Sequence, residues 1–349
     1  MYRTLRMICL SVVAAIASST MTARGQESAE PSSEPPGQVT VSPLDDRVRV
    51  LLGGELFAEY VFQGYSRPIV YPVIGPHGIG MTRNWPMKDG VPGESHDHVH
   101  QKAMFFAHGW VNGVNFFAEA PDSGKIVHDK LLKVESGSAC GLIQTANNWV
   151  AVDGAIISTD TRTLSFRAVP GGRAIDWEIT LHASHGEVKF ADDKHGLLAI
   201  RTHPNLCLDN DPERGVTTAN GQAVNSEGVS GSAVFGKRAR WIDYWGKIDE
   251  KTVGIAIFDH PANPNHPTWW MARGYGYVAA DPCGGHAIGG EPPGTGDLVI
   301  PSGGSVTFRY RYVFHEGDPD QAGIAKQYAR YAETPSAAGV DSRVGPAIP

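Results

Sequence analysis

Thr307-Phe-Arg-Tyr-Arg-Tyr-Val-Phe314 alternates polar and apolar residues from Thr307 to Tyr312, and Arg173-Ala-Ile-Asp-Trp-Glu-Ile-Thr-Leu181 does so from Ile175 to Leu181. Side chains along a β-strand point alternately to its two faces. Each stretch therefore predicts a strand with one face in a core and the other towards solvent or a cleft. With 41 glycines, 24 prolines and few long helical patterns, the whole chain is typical of a turn-rich β protein.

Strand signals continue outward from these two stretches over most of the chain. So many strands with no second linker predict one large antiparallel β-sandwich over residues 38–335, whose concave sheet face is the natural binding surface. Only the end is helical, because Asp318 can cap, Pro319 suits a first turn, and Ile324, Tyr328 and Tyr331 share one face of a helix running to about Glu333. The other predicted strands are Val39–Val41, Arg47–Leu52, Leu56–Phe62, Met104–His108, Trp149–Ile157, Thr163–Val169, Val188–Phe190, Leu197–Arg201, Ala239–Trp245, Val253–Asp259, Gly276–Ala280 and Asp297–Ile300.

The N-terminus predicts export. Two arginines precede the apolar run Met7–Ala17, and small and polar residues follow, which is the order of a secretory signal peptide over residues 1–26. Residues 27–37 are rich in Pro, Ser and Glu and predict a disordered linker, and residues 336–349 predict a flexible tail. We expect an exported protein, periplasmic or extracellular, with no transmembrane segment after the signal.

Charge and cysteine content exclude several classes of protein. The formal net charge of -7 and the lack of a basic tract argue against nucleic acid as a partner. After the signal the chain keeps Cys140, Cys207 and Cys283, an odd number with no close pair, so it is not a disulfide scaffold and forms at most one internal bridge. The oligomeric state is left open by the sequence.

The densest chemistry lies in Glu94–Phe117, which holds four histidines, two carboxylates and three amides and ends in aromatic residues. In an extended strand His96, His98 and His100 would leave the same face and offer three imidazoles to one ligand. Imidazoles carry protons near neutral pH, bind metals or line polar pockets. The alternative is a hydrated surface strand whose histidines have no function.

Several motifs follow one another along the chain: Arg67–Pro72, Gly75–Arg83, Asp97–His100 running into Phe106–Gly109 and Val111–Phe117, then Gly254–Trp270 and Gly274–Pro282. Their order and spacing resemble those of a known family over nearly the whole mature chain. The family comprises exported bacterial proteins of unknown function, DUF6807, often labelled "methane oxygenase PmoA-like". The resemblance implies a β-supersandwich similar to galactose mutarotase, in organisms that degrade polysaccharides. A methane monooxygenase subunit is excluded, because such a subunit spans the membrane several times.

The chain departs from the family pattern at four positions where the family has an ionisable side chain. Where the family has Asp-His-Pro-His-His-Arg, this sequence continues Asp97-His-Val-His with Gln101 and Lys102. Where the family has Trp-His-x-Arg-Asp-Tyr-Gly, it has Met271 and Gly274 at the second and fifth positions. The missing imidazoles, guanidinium and carboxylate would have carried protons or gripped a substrate, so the resemblance implies an altered or partly functional site.

The first functional hypothesis is a carbohydrate-active enzyme, either an epimerase or mutarotase, a lyase or a hydrolase. In it a histidine or carboxylate transfers a proton at a sugar, and Arg83 steadies the developing negative charge. No Gly-x-Ser-x-Gly or His-Glu-x-x-His motif supports a serine hydrolase or a zinc protease. The predicted catalytic residues are His98, His100, His108, Arg83 and His266, converging in one pocket, and the predicted sugar-binding residues are Asn112, Trp269, Trp270, Asn265 and Arg273.

Two alternatives stand beside this hypothesis. One is a non-catalytic glycan-binding protein with a degenerate site, since lost proton carriers abolish turnover before they abolish stacking on tryptophan. The other is a divalent-metal site at His98 and His100 with a third ligand from His96, His108 or a distant carboxylate, because histidines two apart on a strand can bind one ion. No other cofactor is expected, and the expected partner is a carbohydrate ligand or substrate.

Overall fold

Two broad antiparallel sheets pack face to face in this computed structural model, which describes residues 37–335. The predicted signal, the tail and all of the linker except Gly37 lie outside the described residues. In spatial order, the first sheet contains β1 (Val39–Pro43), β2 (Arg47–Leu52), β3 (Glu55–Val61), β4 (Ile69–Val73), β5 (Met104–Phe106), β13 (Leu198–Arg201), β18 (Tyr277–Asp281) and β17 (Trp269–Ala272).

The second sheet has the same number of strands and supplies the other half of the core. In spatial order, it contains β14 (Gln222–Asn225), β15 (Trp241–Ile248), β16 (Lys251–Asp259), β20 (Ser305–Glu316), β11 (Gly172–His182), β10 (Ile156–Val169), β9 (Gly141–Val150) and β8 (Lys125–Glu135). A small third sheet contains β19 (Leu298–Ile300), β12 (Val188–Phe190), β6 (Trp110–Val111) and β7 (Val114–Asn115). Short 3₁₀ turns lie at Pro76–Gly78, Pro204–Leu206, Pro212–Arg214 and Gly231–Val234.

Strand β20 shows why the alternating sequence folds as predicted. Its aromatic residues from Phe308 to Phe314 are buried at every second position, while Arg309 and Arg311 point to the opposite face. There they pair with Glu178 and Asp176 of β11 across the sheet. Burial of each large apolar side chain contributes roughly 1.5–3 kcal/mol, so this face fixes the register. The predicted all-β sandwich of two broad antiparallel sheets is confirmed.

Two predicted strands are corrected by the structure. The stretch Trp149–Ile157 is the turn of a hairpin, because β9 ends at Val150 and β10 begins at Ile156. The histidines of residues 96–100 do not lie on an extended strand, since His98 has a φ of +49° and the chain turns after it. Their three side chains therefore do not leave one strand face.

The C-terminal helix is confirmed but begins later than predicted. Helix α1 spans Ile324–Ala332 and buries Ile324, Tyr328 and Tyr331 against the outer side of the second sheet. Asp318 accepts a hydrogen bond from the backbone N–H of Gln321 and closes a separate turn before the helix. Within residues 37–335, no helix is long and apolar enough to cross a membrane.

Candidate functional site

A buried guanidinium fixes the shape of the histidine loop, residues 95–102. Arg83 is 1% exposed and lies against the inner side of this loop. Carbonyl groups that converge on one buried cation hold the chain in a tight turn, and His98 adopts a positive φ that is uncommon for residues other than glycine. Arg83 donates hydrogen bonds of 3.0–3.2 Å to the carbonyl oxygens of Ser95, Asp97, His98 and Gln101.

A carboxylate orients the central histidine of the loop. Asp97 Oδ1 accepts hydrogen bonds from Arg83 Nη1 at 2.8 Å and Arg201 Nη2 at 3.1 Å. Asp97 Oδ2 lies 2.7 Å from His98 Nδ1. Burial disfavours the charged carboxyl, but the hydrogen bond with His98 and the charge of Arg201 outweigh it and hold the pKa of Asp97 well below its ordinary value. Asp97 is therefore an anion that fixes the ring of His98, whose Nε2 is the nitrogen left for a ligand.

Five rings pack in a continuous row beside the loop, and we call this row the imidazole wall. His98 stacks on Tyr275 with ring centroids 5.3 Å apart and planes 11° apart, and meets His100 edge to face at 5.7 Å. His100 contacts Phe117 at 5.0 Å, and Phe117 contacts His195 at 4.5 Å. Phe117 is 2% exposed and packs against His100 and His195 from within. The surface left for a ligand therefore consists of three imidazoles and the partly buried ring of Tyr275, which suits a ligand with both hydroxyl groups and C–H surface.

His195 repeats the arrangement of His98 and was not predicted from the sequence. Its Nδ1 lies 2.8 Å from Asp193 Oδ2, and its side chain is 30% exposed, against 38% for His98. Gly109 makes room for this pair, because a Cβ at that position would overlap the Asp193 carboxylate. The available signal was the spacing Asp193-Lys-His195, which fits a hydrated turn equally well.

His100 differs from its neighbours in the wall by being held neutral. Burial, together with the positive charge of Arg67 and the nearby His98, lowers the pKa of His100 to about 4. Arg67 is 3% exposed and donates to the carbonyl oxygen of Phe117 at 2.6 Å. Near pH 7 His100 is therefore an uncharged imidazole with one donor and one acceptor nitrogen.

The structure gives two of the predicted catalytic histidines other surroundings. His108 is fully buried, its Nε2 lies 2.8 Å from the carbonyl oxygen of Ala191, and burial lowers its pKa. It supports the chain leading to His195. His266 Nδ1 lies 2.7 Å from Asp259 Oδ2, in the loop after β16. The structure thus brings Arg83, His98 and His100 together, with Arg83 in a positioning role.

Four of the five predicted sugar-binding residues serve the fold. Trp270 is fully buried and donates from Nε1 to a backbone carbonyl, and Trp269 is 4% exposed. The amides of Asn112 and Asn265 hydrogen bond to backbone groups of neighbouring loops. Arg273 alone lines an open cleft.

That polar cleft adjoins the imidazole wall. It has a volume of about 390 Å³ and is lined by residues that include Asp209, Asn210, Phe235, Arg273 and Tyr275. Arg273 and Tyr275 belong to the turn between β17 and β18, closed by hydrogen bonds between Arg273 and the residues that follow Tyr275. Tyr275 is therefore shared by the wall and the cleft.

The four residues that replace ionisable groups of the family pattern are all accommodated by the fold, two of them through polar partners. Gln101 Oε1 accepts from Arg201 Nη1 at 2.9 Å, and Lys102 Nζ donates to the carbonyl of Val99 at 2.9 Å. Lys102 also pairs with Glu119. Met271 is 7% exposed in β17, and Gly274 lies against Asp209.

The three histidines of the metal hypothesis are not assembled around a common point. His96 stacks on Trp85 at 5.2 Å with planes 6° apart, whereas His98 and His100 contact Tyr275 and Phe117. In the part of the chain that the structure describes, no group of three or more His, Cys, Asp or Glu side chains is placed to hold a metal ion. The thiols of Cys140, Cys207 and Cys283 are free.

Fold and site together define an antiparallel β-sandwich protein with an imidazole-lined surface at the loops of its first sheet. The chain belongs to DUF6807, a family of unknown function, whose model matches residues 47–329. The predicted family is therefore confirmed. No curated protein matches the chain.

Several solved structures are similar at low sequence identity. A galactose mutarotase-like protein from Clostridium acetobutylicum is 10% identical, with a TM-score of 0.33, over 80% of this chain and 98% of that chain. One from Lactobacillus casei is 8% identical, with a TM-score of 0.31, over 79% and 100%. A glycoside hydrolase family 97 enzyme from Pseudoalteromonas, in complex with acarbose, is 9% identical, with a TM-score of 0.31, over 80% and 34%.

Proposed function

We propose that this protein is an exported carbohydrate-active enzyme that binds a sugar against the imidazole wall and transfers protons at it. The main support for this proposal is the row of rings in the wall. In it, His98 and His195 are each oriented by a carboxylate, and neutral His100 lies between them. General acid–base catalysis needs proton carriers that are held in place and titrate near the working pH, and imidazole is the side chain that does so most readily.

Tyr275 adds what a sugar needs besides proton carriers, namely an aromatic ring that is partly exposed. A pyranose has an apolar C–H face that packs on aromatic rings and an edge of hydroxyl groups that hydrogen bonds to imidazole. His100 offers an acceptor nitrogen to a hydroxyl without a charge that must first be removed. The wall therefore orients the sugar while His98 and His195 face its reactive edge.

The reaction that fits this arrangement best is interconversion of anomers. One of the two carboxylate-oriented histidines takes the proton of the anomeric hydroxyl while the other gives a proton to the ring oxygen. The bond between the anomeric carbon and the ring oxygen then breaks, and the open sugar closes on its other face with the proton transfers reversed. Asp97 and Asp193 stabilise the imidazolium that forms at each histidine. The same groups could serve epimerisation or elimination at an acidic C–H.

The test is turnover of a panel of aldoses and their oligosaccharides, followed by polarimetry and by NMR exchange between anomers. His98→Gln and His195→Gln should each lose turnover, and His185→Gln, at an exposed turn histidine, is the matched control. Equal rates in all four proteins would contradict the proposal. Binding by calorimetry without turnover in the wild type would instead identify the non-catalytic glycan-binding alternative.

A further inference from the structure

The polar cleft continues the imidazole wall through a shared side chain. Tyr275 stacks on His98 at 5.3 Å and also lines the cleft. Small-molecule sites typically measure roughly 300–1,000 Å³. A cleft of about 390 Å³ therefore has room for one small ligand unit directly beside the site proposed for a sugar.

Two charged side chains of opposite sign, Arg273 and Asp209, line the cleft. The guanidinium carbon of Arg273 lies 5.1 Å from the ring centroid of Phe235 and 5.7 Å from that of Tyr275. Within residues 37–335, neither this guanidinium nor the Asp209 carboxylate makes a hydrogen bond or an ion pair. The cleft thus offers a ligand the N–H donors of Arg273 and the acceptor oxygens of Asp209, beside two aromatic rings.

Gly274 determines where the carboxylate sits. The backbone N–H of Leu208 donates to the carbonyl of Gly274 at 2.7 Å, which draws the Asp209 segment against the turn. A Cβ at position 274 would overlap the Asp209 carboxylate. The missing side chain at this turn therefore makes the space that Asp209 occupies beside Arg273.

The charges in the cleft are balanced. Arg273 contributes one positive charge and Asp209 one negative charge, while Asp211 is already paired with Arg214. An anionic ligand would gain from Arg273 but lose at Asp209 and Asp211. Hydroxyl groups can donate to the carboxylate and accept from the guanidinium at the same time. The balance favours a neutral, hydroxylated ligand.

We propose that the polar cleft is a second sugar subsite that binds a neutral sugar unit, so that the ligand of the imidazole wall is an oligosaccharide. This proposal rests on the proposed function at the wall and names its substrate class. One unit lies against the wall, and the next passes Tyr275 and hydrogen bonds with Asp209 and Arg273. Affinity should then rise from monosaccharide to disaccharide or trisaccharide.

The test is calorimetric titration of the full mature protein with defined probes. The neutral probes are glucose, mannose and xylose with cellotriose, maltotriose, mannotriose and xylotriose, and the acidic pair is galacturonic acid with trigalacturonate. Arg273→Gln and Asp209→Asn should each weaken binding of the best neutral trisaccharide roughly tenfold, the loss of one charged hydrogen bond, and leave its monosaccharide unchanged. Arg330→Gln, at an exposed arginine of α1, is the matched control and should change neither.

Each other outcome overturns a distinct part of the proposal. Trisaccharide binding that is equal in wild type and both cleft variants would refute the second subsite and leave the function of the wall standing. If the two cleft variants lost affinity equally for the monosaccharide and the trisaccharide, the cleft would be the primary sugar site. Preference for trigalacturonate would refute the neutral ligand. Lack of binding to every probe by the wild type would overturn the proposed function together with the subsite.

Discussion

Two histidine–aspartate pairs with the same 2.7 Å separation lie in very different surroundings. In the first pair, Asp97 orients His98, which belongs to the imidazole wall. The ring of His98 stacks on Tyr275, which also lines an open cleft. Asp259 and His266 belong to a closed loop, in which the same carboxylate also accepts from Asn263 Nδ2 and from the backbone N–H of Thr268. We call this second group the Asp259 network.

A histidine–aspartate pair does not by itself mark a functional site. In both regions the carboxylate is held by several donors, as buried carboxylates must be. The difference lies in what the histidine meets beyond its aspartate. The wall holds two further imidazoles, which both contact the ring of Phe117. The Asp259 network instead joins a loop to β16 and to the carbonyl of Arg309 in β20. One arrangement can exchange protons with a ligand, and the other stabilises a loop.

The largest expected effect separates the two regions by activity. We expect His98→Gln and His195→Gln to lower kcat/KM on the best sugar at least about 100-fold, because each removes a proton carrier. His266→Gln should keep kcat/KM within about threefold, since its ring belongs to the closed network. Steady-state polarimetry on all three variants makes the comparison. A larger loss for His266→Gln than for His98→Gln would invert our assignment.

We also expect the Asp259 network to contribute more to the stability of the fold than an exposed carboxylate does. Asp259 is fully buried and takes three hydrogen bonds, so Asp259→Ala should lower the free energy of unfolding by about 1–3 kcal/mol for the donors left unpaired. Glu135→Ala is the control, because that carboxylate is about half exposed and pairs with the equally exposed Lys133, and such surface ion pairs contribute about 0–1 kcal/mol. Urea unfolding measures both. Equal losses would mean that the Asp259 network is not a structural support.

The sequence predicted the fold best where one strand face is buried and the other is not. The alternation of polar and apolar residues in β11 and β20 predicted these strands because it reflects the different burial of the two faces of the second sheet. Strand β17 has no such contrast, since all four of its residues are buried, and it was missed. Strand β8 was missed for the opposite reason, because most of its side chains are exposed.

The site was predictable only where its residues are close in sequence. His98 and His100 stood out because they cluster with other polar and aromatic residues. Arg201 reaches Asp97 from 104 residues away, and Tyr275 and His195 reach the wall from other loops. Such contacts depend on how the strands of the first sheet are ordered, which no local pattern encodes. The turn at His98 depends on Arg83 in the same way.

A smaller effect concerns the neutral histidine of the wall. The pKa of His100 is about 4 in the folded protein, below its ordinary value of 6.5, so the unfolded chain takes up a proton first as the pH falls. Its contribution to stability is therefore complete above pH 6.5 and is lost as the pH falls towards 4. We expect His100→Gln to lose stability less steeply than wild type between these values. Urea midpoints at pH 7.5, 6 and 4.5 measure the slopes, and parallel slopes would refute the buried, neutral state of His100.

The smallest expected effect is at His96, the loop histidine outside the wall. Its side chain is 55% exposed and stacks on Trp85, without contact to the other histidines of the loop. His96→Gln should therefore change kcat/KM by less than about twofold and should shift the unfolding midpoint little, as surface substitutions do. The matched measurement is activity after dialysis against EDTA, which we expect to leave turnover unchanged. If His96→Gln and EDTA each removed turnover, while added Zn²⁺ restored the dialysed protein, the three loop histidines would have to close around a metal ion. The wall would then be a metal centre and not a set of proton carriers.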